Sequence, residues 1–144
     1  MKYLLSVILY SMSFTQNISF YDKDGESFAD INLDNFIFNC RVAGVENKGE
    51  AVILLHGFPE TSRMWYQLMP ILANEGFKVI APDQRGYSQG ARPSKISDYT
   101  IDKLSKDITD IADAFQLEKF HLIGHDWGSA VGWYTVSINA DRVI

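Results

Sequence analysis

The hydrophobic pattern of the chain alternates between short apolar runs and longer segments with a helical period. Every residue of AVILL at 51–55 is apolar, which is typical of a strand buried on both faces of a parallel sheet. The runs FKVIAP at 77–82 and KFHLIG at 119–124 predict two further strands. Before them, two apolar-rich runs at 29–44 flank the turn pair Asp34-Asn35, so this segment predicts an antiparallel hairpin.

Three helices are predicted between and after these strands. The first begins at Thr61 or Ser62, either of which can cap a helix, and ends at 74–76, because apolar residues recur every four positions between them. The clearest helix spans 99–116 and has one apolar face. A mostly apolar helix follows at 129–138. On the solvent side of the second helix we expect the i,i+4 pairs Asp102–Lys106 and Lys103–Asp107.

This order of elements predicts one domain of the α/β class, with a mainly parallel sheet that is entered through the antiparallel hairpin. We assign residues 14–144 to this domain. The last residues, 141–144, have the pattern of a further strand that has only begun. We therefore expect the chain to be the N-terminal part of a longer domain whose C-terminal half is absent.

The composition narrows the classes of partner. The 144 residues carry a formal net charge of −5 and no basic cluster, which argues against nucleic acid. A single cysteine, Cys40, excludes an internal disulfide and any multi-cysteine metal site, and its apolar surroundings predict a buried thiol. The three histidines lack the spacing of metal ligands. We therefore expect no metal and no cofactor.

Residues 1–13, MKYLLSVILYSMS, form an apolar leader with a lysine near its start and small serines at its end. This pattern is typical of a short signal peptide, and the apolar run is too short to span a bilayer. The expectation is a secreted or periplasmic protein. Alternatively, translation begins at Met12 and the protein is cytoplasmic.

The chemistry of the chain is indicated by GHDWG at 124–128, between a predicted strand and a predicted helix. Its frame matches the nucleophile elbow G-x-S-x-G, in which a sharp turn presents a nucleophile, but Asp126 occupies the serine position. Gly124 and Gly128 leave room where the helix packs against the strand. Alternatively, Asp126 is only an N-cap, a position at which Asp is favoured.

Two further motifs follow the ends of the preceding strands. HGFP at 56–59 stands where hydrolases with this elbow supply an oxyanion-hole N–H, so Phe58 and Trp127 would donate through their backbone. DQRG at 83–86 follows the next strand. Taken separately, these two motifs have plain structural explanations: a Gly-Pro turn, and a surface turn with a local Asp–Arg pair. The supporting residues of the three motifs are His56, Gly57, Pro59, Asp83, Arg85, Gly86, Gly124, His125 and Gly128.

Together these motifs, at successive strand ends and in this order, resemble the epoxide hydrolase and haloalkane dehalogenase group of the α/β-hydrolase superfamily. The resemblance extends from about residue 29 to the end of the chain. It implies an α/β-hydrolase fold and a nucleophilic Asp126 that attacks an sp³ carbon of a small-molecule epoxide or alkyl halide. A base-activated water then hydrolyses the resulting alkyl ester, and the family uses no cofactor for this chemistry.

A carboxylate nucleophile suits such substrates. It is already anionic at neutral pH, and its ester keeps a carbonyl that water can attack, which a serine ether would lack. Phe58 stands where many haloalkane dehalogenases have Asn, and Trp127 stands where fluoroacetate dehalogenases typically have Arg. The resemblance therefore favours epoxides, with alkyl halides as the alternative.

The same resemblance implies groups that have no matching position in this chain. In the family, the water-activating His and its acid partner lie on later strands, and the tyrosines that protonate the epoxide oxygen lie in a cap domain. His56, His121 and His125 are poor candidates for that base. We therefore expect the 144-residue chain to fail in turnover after alkylation. The alternative is a non-catalytic, truncated protein of the same fold.

Overall fold

The computed structural model describes residues 17–144, so the leader predicted at 1–13 lies outside the described residues. The strands of this part are β1 (Ile18–Lys23), β2 (Glu26–Leu33), β3 (Phe36–Ala43), β4 (Ala51–Leu55), β5 (Lys78–Pro82) and β6 (His121–Gly124). Its α-helices are α1 (Leu68–Asn74), α2 (Ile101–Ala114) and α3 (Trp127–Ile138). Two short 3₁₀ turns span Ser62–Trp65 and Ile96–Asp98.

The strands form one sheet in the order β1-β2-β3-β5-β4-β6. β4 pairs in parallel with β5 and with β6, and these are the strands that the three motifs follow. The pairs β1–β2, β2–β3 and β3–β5 are antiparallel. The α/β class, the parallel strands and the hairpin β2–β3 are confirmed. The described sheet is mixed, because parallel pairing is confined to β4, β5 and β6.

Both faces of β4 are buried, as its apolar sequence predicts. Ile53 belongs to the core on one face of the sheet, together with Ile111 of α2. Val52 points to the other face and packs in a second cluster with Met69 of α1. Cys40 of β3 is a free and fully buried cysteine, and burial raises the pKa of its thiol well above the ordinary value.

Strand β1 is not predicted by the hydrophobic pattern. Its hairpin to β2 turns at Asp24-Gly25, where φ is 53° and 78°, the conformation that an Asp-Gly hairpin turn favours. After Ile18, every residue of β1 is exposed. Burial therefore imposes no alternation of apolar and polar residues on this strand, and the pattern contains no signal of it.

The predicted helix from Thr61 to 74–76 is wrong in its continuity. The side chain of Thr61 caps only the 3₁₀ turn at Ser62–Trp65, accepting the Arg63 N–H at 3.3 Å. Helix α1 begins later, at Leu68. Pro70 explains the break: it is tolerated in the first turn of α1, whereas in a continuous helix its ring would clash with the preceding turn.

Helix α2 is shorter than the predicted 99–116, and its ion pairs differ from the predicted ones. Lys106 contacts Asp110 at 2.5 Å instead of Asp102, and Lys103 contacts Asp98 at 2.8 Å instead of Asp107. Asp107 does not lie on the solvent side: it is 6% exposed. Its partner comes from another element, the loop after β5, and that partner makes its burial tolerable.

The free edge of β6 is contacted by the end of the chain. Val143 forms an isolated parallel bridge with Phe120, and the Phe120 N–H donates to the Arg142 carbonyl at 3.0 Å. The strand-like pattern predicted at 141–144 therefore corresponds to a first bridge beside β6. The elbow lies at the opposite end of β6, where α3 begins directly after it.

Candidate active site

Asp126 lies on a sharp turn between β6 and α3, with φ 52° and ψ −121°. This conformation costs a residue with a side chain on the order of 1–3 kcal/mol, and neighbouring contacts must maintain it. The His125 N–H donates to the Leu55 carbonyl at 3.0 Å, and the Gly128 N–H donates back to the His125 carbonyl at 2.9 Å. The turn is therefore anchored to β4 before Asp126 and to α3 after it.

Glycines provide the space that this turn needs. A Cβ atom at Gly124 would lie 2.5 Å from the Gly128 carbonyl oxygen, and one at Gly128 would collide with the Leu55 carbonyl oxygen. A third glycine matters from the other side: a Cβ at Gly57 would lie 2.5 Å from the Asp126 Cβ. Gly57 thus allows the loop after β4 to approach the carboxylate closely.

The Asp126 carboxylate faces backbone donors. The Phe58 N–H donates to its Oδ1 at 2.9 Å. The Phe58 N–H, then the Trp127 N–H, lower the pKa of the Asp126 carboxyl below its ordinary value, and the positive charge that His125 can carry adds to this effect. Asp126 is exposed, so an ionised, accessible carboxylate stands before two N–H groups.

The alternative of a simple helix cap does not describe Asp126. Its side chain makes no capping hydrogen bond to α3, and the Ser129 N–H donates to the main-chain carbonyl of Asp126 at 2.9 Å. An ordinary N-cap also has extended φ and ψ, unlike the values found here. The hydrogen bond that the carboxylate accepts, from the Phe58 N–H, therefore comes from outside the helix that Asp126 precedes.

The loop HGFP continues β4 towards the elbow, and the loop and the elbow each expose one aromatic ring. The Glu60 N–H donates to the Gly57 carbonyl at 3.0 Å and closes the loop, in which the Phe58–Pro59 peptide is cis. The side chains of Phe58 and Trp127 are 68% and 64% exposed. Apolar surface is therefore available to a ligand next to Asp126.

His56, the first residue of this loop, is fully buried. One ring nitrogen, Nδ1, lies 3.0 Å from the Gly57 carbonyl oxygen, and the other, Nε2, accepts the Gln84 N–H at 3.0 Å. The ring edge meets Tyr87 at a centroid distance of 4.5 Å. Burial lowers the pKa of His56. It is a neutral side chain that joins the HGFP loop to the DQRG loop.

The DQRG loop is held by distant partners, and the local Asp–Arg pair of the plain structural explanation does not form. Asp83 accepts the Ser62 N–H at 2.7 Å. Arg85 donates to both carboxylate oxygens of Asp107, at 2.8 Å and 2.6 Å, and to the Asp98 carbonyl at 2.9 Å. Gly86 has a φ of 92°, a conformation that favours glycine.

The Arg85–Asp107 pair is buried, with side chains 9% and 8% exposed. Burial raises the pKa of Asp107, and the Arg85 guanidinium opposes this effect. The hydrogen bonds that Arg85 donates to Asp107 raise the pKa of Arg85. The bidentate geometry favours the ionised pair, because each charge is compensated by the other and by hydrogen bonds.

Two residues of this region were not singled out from the sequence. Gln84 lies inside the DQRG motif, but nothing in the sequence indicates that it binds His56. The burial of Asp107 could have been predicted from its spacing. It stands three positions after Leu104 and four before Ile111, on the apolar face of α2. A charged residue at such a position predicts a buried partner.

The described residues contain neither a metal-like cluster nor a membrane-spanning helix. Between 17 and 144, no three His, Cys, Asp or Glu side chains are grouped so as to hold a metal ion. In the same range, no helix combines the length and apolar character that crossing a bilayer requires.

A cavity of about 800 Å³ lies between the β1–β2 hairpin and the C-terminal half of α2, and none of the three motifs lines it.

The part of the chain that carries the motifs matches a known protein family. The family profile described as alpha/beta hydrolase fold matches residues 50–143. The chain is 41% identical over 114 residues to the AB hydrolase superfamily protein YfhM of Bacillus subtilis, covering 79% of this chain and 40% of that protein. It is 45% identical over 92 residues to epoxide hydrolase A of Mycobacterium tuberculosis, covering 64% of this chain and 29% of that protein.

Solved structures are also similar to this chain, over most of its length. The crystal structure of epoxide hydrolase VrEH1 from Vigna radiata matches with a TM-score of 0.74 and 29% identity, covering 89% of this chain and 38% of that chain. The chain spans less than half the length of each of these relatives.

Proposed function

Because the chain belongs to the α/β-hydrolase family, we propose that Asp126 is the nucleophile of a hydrolase that opens epoxides through a covalent alkyl ester. One observation carries this proposal: an exposed, ionised carboxylate on a strained turn accepts the Phe58 N–H at 2.9 Å. The epoxide hydrolases among the relatives support the choice of substrate. The exposed rings of Phe58 and Trp127 suit an epoxide with an apolar substituent.

In the first step, an oxygen of Asp126 attacks a ring carbon of the epoxide. The C–O bond of the ring breaks, and the ring oxygen leaves as an alkoxide that takes a proton from solvent. The product is a 2-hydroxyalkyl ester that retains every atom of the epoxide. The carboxylate needs no base for this step, because it is already ionised at neutral pH.

In the second step, water adds to the ester carbonyl and negative charge develops on the carbonyl oxygen of Asp126. The N–H groups of Phe58 and Trp127 stabilise that charge as an oxyanion hole. The ester bond then breaks, releasing a diol and restoring the carboxylate.

The second step also needs a base to activate the water, and two of the three histidines are engaged elsewhere. His56 has both ring nitrogens in hydrogen bonds, and His121 lies 2.7 Å from Glu50. The side chain of His125 makes no hydrogen bond to Asp126 within the described residues. We therefore propose that the ester accumulates on the 144-residue chain.

The test is incubation of the 144-residue chain with 1,2-epoxyhexane, followed by intact-mass measurement and peptide mapping. We expect a mass increase equal to one whole epoxide, located on Asp126, and no label on Asp126→Asn. Equal labelling of Asp126→Asn, or an adduct on another residue, contradicts the role of Asp126. A chain that takes no label under any condition supports a non-catalytic protein of this fold.

Alkyl halides are the alternative substrate, because Trp127 presents an exposed indole next to the carboxylate. Incubation with 1-bromohexane distinguishes the two chemistries. Displacement of bromide adds only the hexyl group, so its mass increase differs from that given by the epoxide. Faster labelling by the bromide than by the epoxide would reverse the order of these two substrates.

A further inference from the structure

The peptide group between Gly57 and Phe58 is held at both of its ends. Its N–H belongs to Phe58 and donates to Asp126 Oδ1 at 2.9 Å. Its oxygen belongs to Gly57 and lies 3.0 Å from His56 Nδ1 and 3.0 Å from the Glu60 nitrogen. Because a trans peptide is planar and its C=O and N–H point in opposite directions, fixing the oxygen fixes the direction of the N–H.

The hydrogen bonds of His56 define its tautomer. Nε2 accepts the backbone N–H of Gln84, so this nitrogen cannot carry the proton of a neutral ring. Nδ1 therefore carries it and donates to the Gly57 carbonyl. Donation to that carbonyl polarises the amide and makes the Phe58 N–H a better donor to the carboxylate.

Gln84 holds His56 from two directions. Besides the bond from its backbone N–H to the ring, its side-chain Nε2 donates to the His56 carbonyl at 2.5 Å. Gln84 lies 28 positions after His56, at the end of a different strand. Gln84 therefore donates two hydrogen bonds to His56, and these bonds join the DQRG loop to the HGFP loop.

We propose that His56 and Gln84 are positioning residues that aim the Phe58 N–H at the Asp126 carboxylate. Neither touches the reacting atoms; both act through the peptide between Gly57 and Phe58. This inference rests on the proposed function, because the direction of that N–H matters for chemistry only if Asp126 reacts.

Nuclear magnetic resonance gives a readout that needs no substrate. The ¹³C signal of the Asp126 carboxyl group, assigned by its loss in Asp126→Asn, is titrated with pH in wild type and in variants. His56→Phe keeps the aromatic contact with Tyr87 but removes both ring nitrogens. We expect its Asp126 midpoint to rise towards the ordinary value. His56→Asn retains an N–H donor near the position of Nδ1 and should restore most of the shift.

A second pair of variants tests Gln84 and covers the case in which His56→Phe does not fold. Gln84→Met removes the donor to the His56 carbonyl at nearly constant size, and we expect a smaller rise of the Asp126 midpoint. The matched control is Gln67→Met, at an exposed position with no side-chain cap hydrogen bond. His125, the titratable group that acts on Asp126 by its charge, is unchanged in every variant.

A purely structural role for His56 and Gln84 predicts a different result. Loss of packing lowers the urea midpoint of unfolding, but it leaves the Asp126 titration of the folded state where it was. Ile111→Val, in the core of α2, provides that comparison. The inference is overturned if Gln84→Met and every folded His56 variant share the Asp126 midpoint of wild type and of Gln67→Met.

Labelling by 1,2-epoxyhexane separates this inference from the proposed function. If wild type takes no label, the proposed function fails, whatever the titrations show. If wild type is labelled at Asp126 but the titration is the same in all variants, only the positioning role fails. If both stand, we expect His56→Phe to be labelled more slowly than His56→Asn.

Discussion

Asp126 combines an unfavourable backbone with a favourable surrounding for its charge. Its φ of 52° and ψ of −121° lie in a region that residues with a Cβ atom rarely occupy. Its carboxylate, in contrast, has a lowered pKa because backbone N–H groups face it. The main chain is strained, whereas the N–H groups stabilise the charge of the side chain. Substitutions that remove the side chain can therefore measure the strain separately.

Two substitutions of Asp126 measure the strain. Both Asp126→Ala and Asp126→Gly remove the carboxylate, but only glycine adopts this backbone freely. We expect Asp126→Gly to have the larger free energy of unfolding, by about 1–3 kcal/mol. Urea denaturation followed by tryptophan fluorescence measures the difference.

The control for this comparison is Asp110, in the middle of α2. There the order should be reversed, with Ala more stable than Gly by about 1 kcal/mol. If Ala is also the more stable residue at position 126, the elbow is not strained.

The pH dependence of labelling follows from the lowered pKa of Asp126. In the proposed mechanism only the ionised carboxylate attacks, so the rate should fall as pH drops through its pKa, which lies below the ordinary Asp value of about 3.9. We therefore expect a constant labelling rate by 1,2-epoxyhexane from neutral pH to about pH 5, after subtracting the Asp126→Asn background. A decrease centred near pH 6.5 would instead indicate that a histidine controls the step.

At the level of secondary structure, the buried Arg85–Asp107 pair ties α2 to the loop after β5. Asp107→Asn leaves the Arg85 charge buried without its partner, and we expect a loss of about 3–5 kcal/mol in the free energy of unfolding. Asp110→Asn, three positions further along α2, breaks the exposed contact with Lys106 and should cost less than about 1 kcal/mol.

A double variant tests the reason for that difference. Arg85→Met with Asp107→Leu removes both buried charges and should recover most of the loss. Equal costs for Asp107→Asn and Asp110→Asn would mean that burial does not distinguish the two pairs.

The elements that the sequence predicted are those whose burial leaves a pattern. AVILL is apolar throughout because both faces of β4 are covered, and one face of α2 is apolar because it rests on the sheet. β1 lacks such a pattern because it is almost entirely exposed, although Asp24-Gly25 is a hairpin signal that could have indicated it. Pro70 could likewise have indicated where α1 begins.

The sequence predicted the motifs that follow strand ends, but it did not predict the hydrogen bonds and ion pairs that link these motifs to other loops and helices. HGFP and GHDWG follow adjacent parallel strands, so their proximity follows from the order of the strands alone. The contact between Gln84 and His56 requires a loop path that no local pattern encodes. The same is true of Arg85, whose charge partner comes from α2, 22 positions away in the sequence.

Across the whole molecule, apolar surface is distributed unevenly. Helix α3 exposes Trp127 near the site and, six residues later, Trp133, which is 77% exposed. Beside it, β6 pairs with β4 on one edge and meets only the Val143 bridge on the other within the described residues. An apolar helix face next to a largely open strand edge favours association between molecules.

We therefore expect the 144-residue chain to self-associate as its concentration rises. Trp133→Gln should shift the sedimentation-velocity distribution towards the monomer. Ile96→Gln is the control, because Ile96 is 92% exposed but belongs to the 3₁₀ turn before α2 and not to α3. Equal effects of the two substitutions would show that exposed apolar area in general, and not the face of α3, drives association.

The hydrogen bond from Phe58 to Asp126 joins residues 68 positions apart. Before it can form, β4 and β6 must pair and α3 must close over the turn, and contacts of such large sequence separation form slowly, because closing a long loop costs entropy. Neither half of the site has its final geometry in a partly folded chain. The rate at which a refolding chain becomes able to accept an epoxide at Asp126 would therefore report how fast this contact between the two halves of the site is established.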